Sequence, residues 1–324
     1  MRAAQVTRLD GPDAVEVGDV PNPEPAAGEV LIDVAAAGVT FPDVLISRGE
    51  YQIKPPLPFV PGSEVAGVVQ SAPAGSGLEA GDRVAAFPFL GGFAEQVVCD
   101  PSLVFPLPDS VSFEQGAALP MNYLTCHFAL RVRGRLAEGE KVLVHGAAGG
   151  IGTAAIQLAK AWGATVYAVV SDSAKADVAR SAGADDVVLA DGFREAVADL
   201  TSGRGVDIVV DPVGGDRFTD SLRSLAALGR LLVIGFTAGA IPEVKVNRLL
   251  LNNIDVVGVG WGAFWTGGGA DPSFVRRQWD ELVPLLEAGK LDPVIGSVRS
   301  LDEMSVALRD IDERRATGKI LLTP

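Results

Sequence analysis

The chain reads as an α/β protein of two domains, one β-rich and full of loops, the other doubly wound on a six-stranded parallel sheet. Three observations lead there. With 324 residues, the chain exceeds the size at which one hydrophobic core usually stops growing. Up to about residue 109 it consists of short β-like runs broken by Gly and Pro. From residue 140 the rhythm becomes apolar strands alternating with amphipathic helices, the pattern of βαβ units.

The N-terminus runs directly into a strand-like segment, and further strands are expected at 29–35, 64–70, 83–87 and 94–99. The second domain is expected to place its strands at 141–145, 165–170, 186–189, 206–210, 230–234 and 254–259. Between the first two of these, Ala155, Leu158, Ala159 and Trp162 form a helical stripe that Gly163 terminates. Gly183, Gly203 and Gly229 punctuate the later helix-to-strand passages in the same way. A Gly- and Trp-rich loop is expected at 261–270, then a helix to about 287 and strands at 294–298 and 319–322. These last strands have the texture of the first domain. The expected division is therefore 1–122 with 260–324 for one domain and 123–259 for the other.

Composition narrows the function. A net charge of -14 would repel a phosphate backbone or an anionic membrane, and an aromatic share of 6% offers no stacking platform for single strands. Neither nucleic acid nor membrane is an expected partner. The absence of a basic-then-apolar leader and the presence of only Cys99 and Cys126 suit a reducing cytoplasm. His127 and His145 are the sole histidines, too few for an ordinary zinc site, so no metal is expected and both are assigned to packing and hydrogen bonding.

The strand at 141–145 runs into Gly146-Ala147-Ala148-Gly149-Gly150-Ile151-Gly152 and then a helix. Such a turn lets backbone approach a pyrophosphate and aims the helix N-terminus at the anion, the arrangement of a Rossmann dinucleotide domain. At the end of the second strand an acidic side chain would accept the ribose 2′-hydroxyl of NAD, whereas this chain continues Ser171-Asp172-Ser173-Ala174-Lys175. Two hydroxyls and an ammonium suit the 2′-phosphate of NADPH. Asp172 cuts the other way, and Ser173 and Lys175 also read as a helix cap and a solvated lysine.

With these residues in place, the sequence resembles the medium-chain dehydrogenase/reductase superfamily, and within it the zinc-free quinone oxidoreductases related to ζ-crystallin. The resemblance rests on Gly38-Val39-Thr40-Phe41-Pro42-Asp43, Arg48-Gly49-Glu50-Tyr51, Pro61-Gly62-Ser63-Glu64-Val65-Ala66-Gly67, Ala80-Gly81-Asp82-Arg83-Val84, the glycine turn, and Thr317-Gly318-Lys319. It implies a GroES-like fold for the first domain, which would hold the substrate. Zinc-dependent members have Cys at the position of Thr40 and His at that of Ser63, so the resemblance implies a zinc-independent enzyme. It further implies a place for Tyr51 beside the nicotinamide; the Tyr51 phenol is itself suited to orienting or protonating a substrate, and with Thr40 nearby in sequence both are candidate catalytic residues. Thr125, Gly215, Ile234, Gly235, Phe236, Val259, Gly260 and Trp261 would line the rest of the cofactor groove. The family commonly dimerises through the sixth strand, so a homodimer is expected.

Quinones or related conjugated acceptors are the expected substrates, because their own carbonyls delocalise an arriving hydride without a Lewis acid. An enoyl-thioester reductase is the alternative within the same chemistry, with Arg48 and Lys54 as handles for the phosphates of CoA. A non-enzymatic NADPH-binding protein is the alternative of another class. For Asp43 a buried structural role stands beside a catalytic one, and Tyr51 reads equally well as a wall of the pocket.

Overall fold

The computed structural model describes all 324 residues. Seven strands come first: β1 (Arg2–Val6), β2 (Val15–Asp19), β3 (Val30–Val39), β4 (Val65–Ser71), β5 (Arg83–Ala86), β6 (Gln96–Cys99) and β7 (Val104–Pro106). Six follow: β8 (Lys141–Val144), β9 (Thr165–Val170), β10 (Asp186–Leu189), β11 (Val206–Asp211), β12 (Leu225–Val233) and β13 (Asp255–Gly258). Two close the chain, β14 (Ile295–Ser300) and β15 (Lys319–Thr323).

The chain forms two compact units, and the first comprises residues 1–121, 272–287 and 295–324. Its main sheet has the order β14-β15-β3-β4-β5-β7, with β6 also paired to β3. β15 runs antiparallel to β3, setting Ile320 opposite Val39, so the C-terminal segment completes a sheet begun by the N-terminal one. β3 extends to Val39, beyond the expected end at 35, because Ala36, Ala37 and Val39 are buried between two partner strands. Such a run loses the alternation by which a half-exposed strand is recognised. A helix, Phe41–Ser47, leaves the end of β3.

The second unit comprises 122–271 and 288–294 and carries a wholly parallel sheet in the order β10-β9-β8-β11-β12-β13. Strand order reverses between β8 and β11, which is the doubly wound pattern, and all six strands lie within a residue or so of their expected positions except β12, which starts earlier. Its core includes Leu143, Val169, Phe193, Val197, Val209 and Leu231, all nearly inaccessible. Covered on both faces, these strands read as continuous apolar runs. Buried Arg230 is neutralised by Glu140 through two 2.7 Å hydrogen bonds and donates a further one to the Gly134 carbonyl at 2.6 Å.

The chain returns to the first unit at Pro272, later than the expected 260, and the expected loop at 261–270 contains a helix, Trp261–Thr266. Trp261 is buried and the Phe264 ring lies 5.0 Å from that of Phe128, so burial of aromatic rings overrides the glycines around them.

Candidate active site

In the second unit the parallel strands end on one edge of the sheet, and the loops that follow them hold most of the expected cofactor residues. The turn after β8 opens the helix Gly150–Ala161, whose N-cap is Gly149 with no side-chain cap. Its first N–H groups, at 150–152, are thereby left for an incoming anion. A Cβ at Gly152 would stand 2.2 Å from the Gly146 carbonyl oxygen and 2.6 Å from Ala147 Cα, so glycine alone closes this turn. The Asn122 side chain lies against Gly150, where a Cβ would be 2.4 Å from its Nδ2. Asn122 carries no motif of its own, which is why sequence reasoning missed it.

At the end of β9, Ser171 and Lys175 converge: Lys175 Nζ donates to Ser171 Oγ at 3.1 Å, and Ser171 Oγ donates to Asp172 at 2.8 Å. The other Asp172 oxygen accepts the Lys175 backbone N–H at 3.2 Å, so this carboxylate caps the turn Ser173–Lys175. The hydroxyl of Ser171, ahead of these backbone bonds and the Lys175 charge, holds Asp172 below its ordinary pKa. Ser173 is exposed at the start of that turn, outside this hydrogen-bonded group.

After β11, Asp211 accepts the N–H groups of Val213 and Gly214, both at 2.9 Å, and bends the chain into Gly215. Gly214 and Gly215 have φ of 66° and 70°. Thr237 and Ala238 donate to the carbonyls of Pro212 and Val213, which ties Ile234, Gly235 and Phe236 alongside this loop. Val259 and Trp261 are buried beyond β13, with Gly260 exposed between them. Thr125 sits buried on the helix Pro120–His127. His145 is fully buried, with Nε2 2.8 Å from Ser221 Oγ. Burial lowers its pKa to about 4, against the pull of Asp211, so it packs as a neutral ring against Phe193.

The first unit brings Thr40, Asp43, Gly62 and Glu64 together. Asp43 Oδ2 accepts from the Thr40 backbone N–H at 2.7 Å and from its hydroxyl at 2.5 Å, while Oδ1 accepts from Gly62 N at 3.2 Å. Burial raises Asp43 to about 6, against the Thr40 hydrogen bonds. Glu64 and Lys319 form a buried ion pair, and the second Glu64 oxygen accepts the Met121 N–H at 2.7 Å. Tyr51 is half-buried against Val6, Ile46 and Phe59, and burial, then Asp43, raises its phenol above the ordinary value. Arg48 is paired with Asp312 through its two terminal guanidinium nitrogens, so it is not the free phosphate handle that the enoyl-thioester alternative assigned to it. Lys54 remains exposed.

These donors do not suit zinc. The Thr40 hydroxyl is committed to Asp43, Ser63 is a buried hydroxyl, and no group of three or more His, Cys, Asp or Glu is gathered anywhere in the chain. No helix is long and apolar enough to cross a membrane.

Residues 26–109 match the family profile described as "Alcohol dehydrogenase GroES-like domain", and residues 150–288 that described as "Zinc-binding dehydrogenase". Quinone oxidoreductase-like protein 2 of Rattus norvegicus is 38% identical over 99% of this chain and 92% of its own length. A probable oxidoreductase from Mycobacterium abscessus superposes with a TM-score of 0.91 at 46% identity, covering 100% of this chain and 99% of that one. The quinone oxidoreductase of Thermus thermophilus, solved alone and with NADPH, superposes with a TM-score of 0.87 at 35% identity, with 100% of each chain covered.

Proposed function

This chain belongs to the quinone oxidoreductase-like family of the medium-chain dehydrogenase/reductase superfamily, and from that premise we propose that it is a zinc-independent reductase that uses NADPH to reduce quinones and related conjugated acceptors. The observation that carries the reading is the uncapped glycine turn at the reversal of strand order, and the donors of the first unit do not fit zinc. Bound NADPH supplies hydride. The N–H groups at 150–152 hold its pyrophosphate, and Ser171, Ser173 and Lys175 hold the 2′-phosphate. Thr125 and the loops around Gly215, Ile234–Phe236 and Val259–Trp261 form the remaining groove, and Thr40 and Tyr51 face the acceptor.

The quinone reading is preferred to a free CoA thioester because Arg48 is engaged by Asp312. Steady-state NADPH oxidation against quinones, enones and enoyl-CoA, before and after dialysis against a chelator, tests this directly. Quinones should be turned over fastest and dialysis should change nothing. Activity that dialysis abolishes and zinc restores would remove the metal-free reading, and silence with every acceptor would remove the reductase reading.

Cofactor preference follows from charge. Lys175 offers a phosphate charge-assisted hydrogen bonds, each worth roughly 1.5–3 kcal/mol when well formed. Asp172 already spends one oxygen on Ser171 and the other on the Lys175 N–H, which turns its charge toward its own chain. Lys175→Ala should weaken NADPH binding about tenfold or more and leave NADH binding nearly unchanged, as measured by fluorescence titration. Equal losses for both cofactors would mean that Lys175 acts through folding.

We also propose a homodimer formed along β13. That strand ends its sheet, and Leu250 and Leu251, in the short helix before it, are 76% and 72% exposed. Apolar side chains beside an open strand edge need a cover. Light scattering at micromolar concentration should give twice the 33.5 kDa chain mass, and a monomer mass would rule the assembly out.

A further inference from the structure

Resting on the reductase reading above, we propose that Asp43 is a positioning residue that stores a proton and delivers it through the Thr40 hydroxyl to the acceptor after hydride has been added. Asp43 is 1% exposed and Thr40 5%, so Asp43 can act on a substrate only through Thr40. The two are joined by a 2.5 Å hydrogen bond at Oδ2, the oxygen that also accepts the Thr40 N–H at 2.7 Å. Gly62 N, 3.2 Å from Oδ1, fixes the other side of the carboxyl plane.

The protonation state of Asp43 decides what Thr40 can do. When the carboxylate is ionised, the single hydroxyl proton of Thr40 is committed to Oδ2, and Thr40 offers the substrate only lone pairs. When Oδ2 carries a proton, the carboxyl donates to Thr40 Oγ1, and the hydroxyl proton is released to point elsewhere. Thr40 then becomes a donor. Hydride addition brings two electrons and leaves the acceptor as a hydroquinone monoanion or an enolate. The Thr40 O–H bond breaks as its proton moves to that anion. The Asp43 Oδ2–H bond breaks in turn to restore the hydroxyl, and once the product has left, the carboxylate regains a proton from water by the same route through Thr40.

The surrounding charges leave this proton within reach of neutral pH. Lys319 favours the ionised form and Glu64 opposes it, and those two are paired with each other. On the facing helix, Met304–Asp312, Asp312 is held by Arg48 and Arg309 by Asp13. Tyr51 is a neutral phenol whose own pKa is raised. Burial therefore dominates and places Asp43 at about 6.

The test compares Asp43→Asn, Thr40→Val and Thr40→Ser. For the wild type, kcat should fall as pH rises through the Asp43 midpoint, since the proton-bearing form is lost there. Asp43→Asn and Thr40→Val should lower kcat about 100-fold and flatten that fall while leaving NADPH affinity unchanged. Thr40→Ser, which keeps a hydroxyl, should recover at least tenfold over Thr40→Val. In the cofactor-free protein, pH-difference infrared spectra should show a carboxyl band titrating at about 6. Asp43→Asn should abolish that band. Thr40→Val should move it to higher pH, because the hydroxyl favours the ionised form. Should Asp43→Asn fail to fold, Thr40→Val carries both readouts. Variants with the wild-type kcat and pH profile would overturn the relay alone and leave the reductase reading intact. A carboxyl that titrates only in the ordinary range would do the same, whereas a wild type that reduces no acceptor would overturn both.

Discussion

Lys319→Met should destabilise the first unit by about 3–5 kcal/mol, the cost typical of stripping one partner from a buried ion pair. Glu64 is wholly inaccessible and Lys319 is 4% exposed, so the carboxylate left behind has no water to turn to. One of its oxygens keeps the Met121 N–H, which satisfies a lone pair without neutralising the charge. Nor can the site collapse. A Cβ on Gly38 would already stand 2.6 Å from Glu64 Oε1, 2.7 Å from Lys319 Cε and 2.5 Å from the Ala117 carbonyl, so β3 is pressed directly on the pair. Urea denaturation followed by tryptophan fluorescence should report the loss, because Trp279 lies in the same unit stacked on Phe105. The double variant Glu64→Gln, Lys319→Met should regain much of it, since it buries no net charge. A single variant within 1 kcal/mol of the wild type would mean that water reaches Glu64 and that the pair is not what fastens β15 to the N-terminal half.

That pair also marks where sequence reasoning stops. Glu64 and Lys319 were each visible inside a motif, but their meeting across 255 positions depends on β15 pairing with β3, and no local pattern encodes it. The same holds for Arg48, which reads as an open cationic handle until the fold brings Asp312 to it from 264 residues away. By contrast, the Rossmann strands and the glycine turn were legible because their signals are local: apolar runs of strand length, helix stripes closed by glycine, and a turn whose spacing follows from backbone contact. The Asp172 cap was likewise within reach, an acidic side chain three residues before the N–H it accepts. The helix Trp261–Thr266 was not, because its glycines argued for a loop and only tertiary burial of Trp261 outweighs them. The short strands β2 and β7 escaped for a related reason. β2 is exposed or half-exposed throughout and β7 is three residues long, so neither offers enough alternation to register.

Two glycines of the cofactor turn should separate folding from binding. Gly152→Ala should cost both stability and NADPH. Its Cβ would fall 2.2 Å from the Gly146 carbonyl oxygen and 2.6 and 2.8 Å from Ala147 Cα and C, all backbone atoms of the same turn, so the strand and helix must part. Overpacking of this kind costs typically 1–3 kcal/mol, and here the displaced atoms are those that carry the anion-binding N–H groups. Gly149→Ala is the opposite case. The residue has φ -89° and ψ 176°, which any L-residue adopts, and the nearest atom to an added Cβ is the Gly146 oxygen at 3.4 Å, an ordinary contact. The cofactor-free protein should therefore keep its stability within about 0.5 kcal/mol. The methyl would nevertheless occupy the space through which the backbone approaches the pyrophosphate, and NADPH affinity should fall on the order of 100-fold, close to 2.7 kcal/mol. Thermal melts with and without cofactor resolve the two effects, since a ligand bound only by the folded form raises the midpoint by an amount that grows with the logarithm of its concentration over Kd. Gly152→Ala should melt early in both scans. Gly149→Ala should melt like the wild type alone and lose the NADPH-induced rise. A Gly149→Ala protein that kept the full rise would move the pyrophosphate away from this turn, and with it the placement of the whole cofactor.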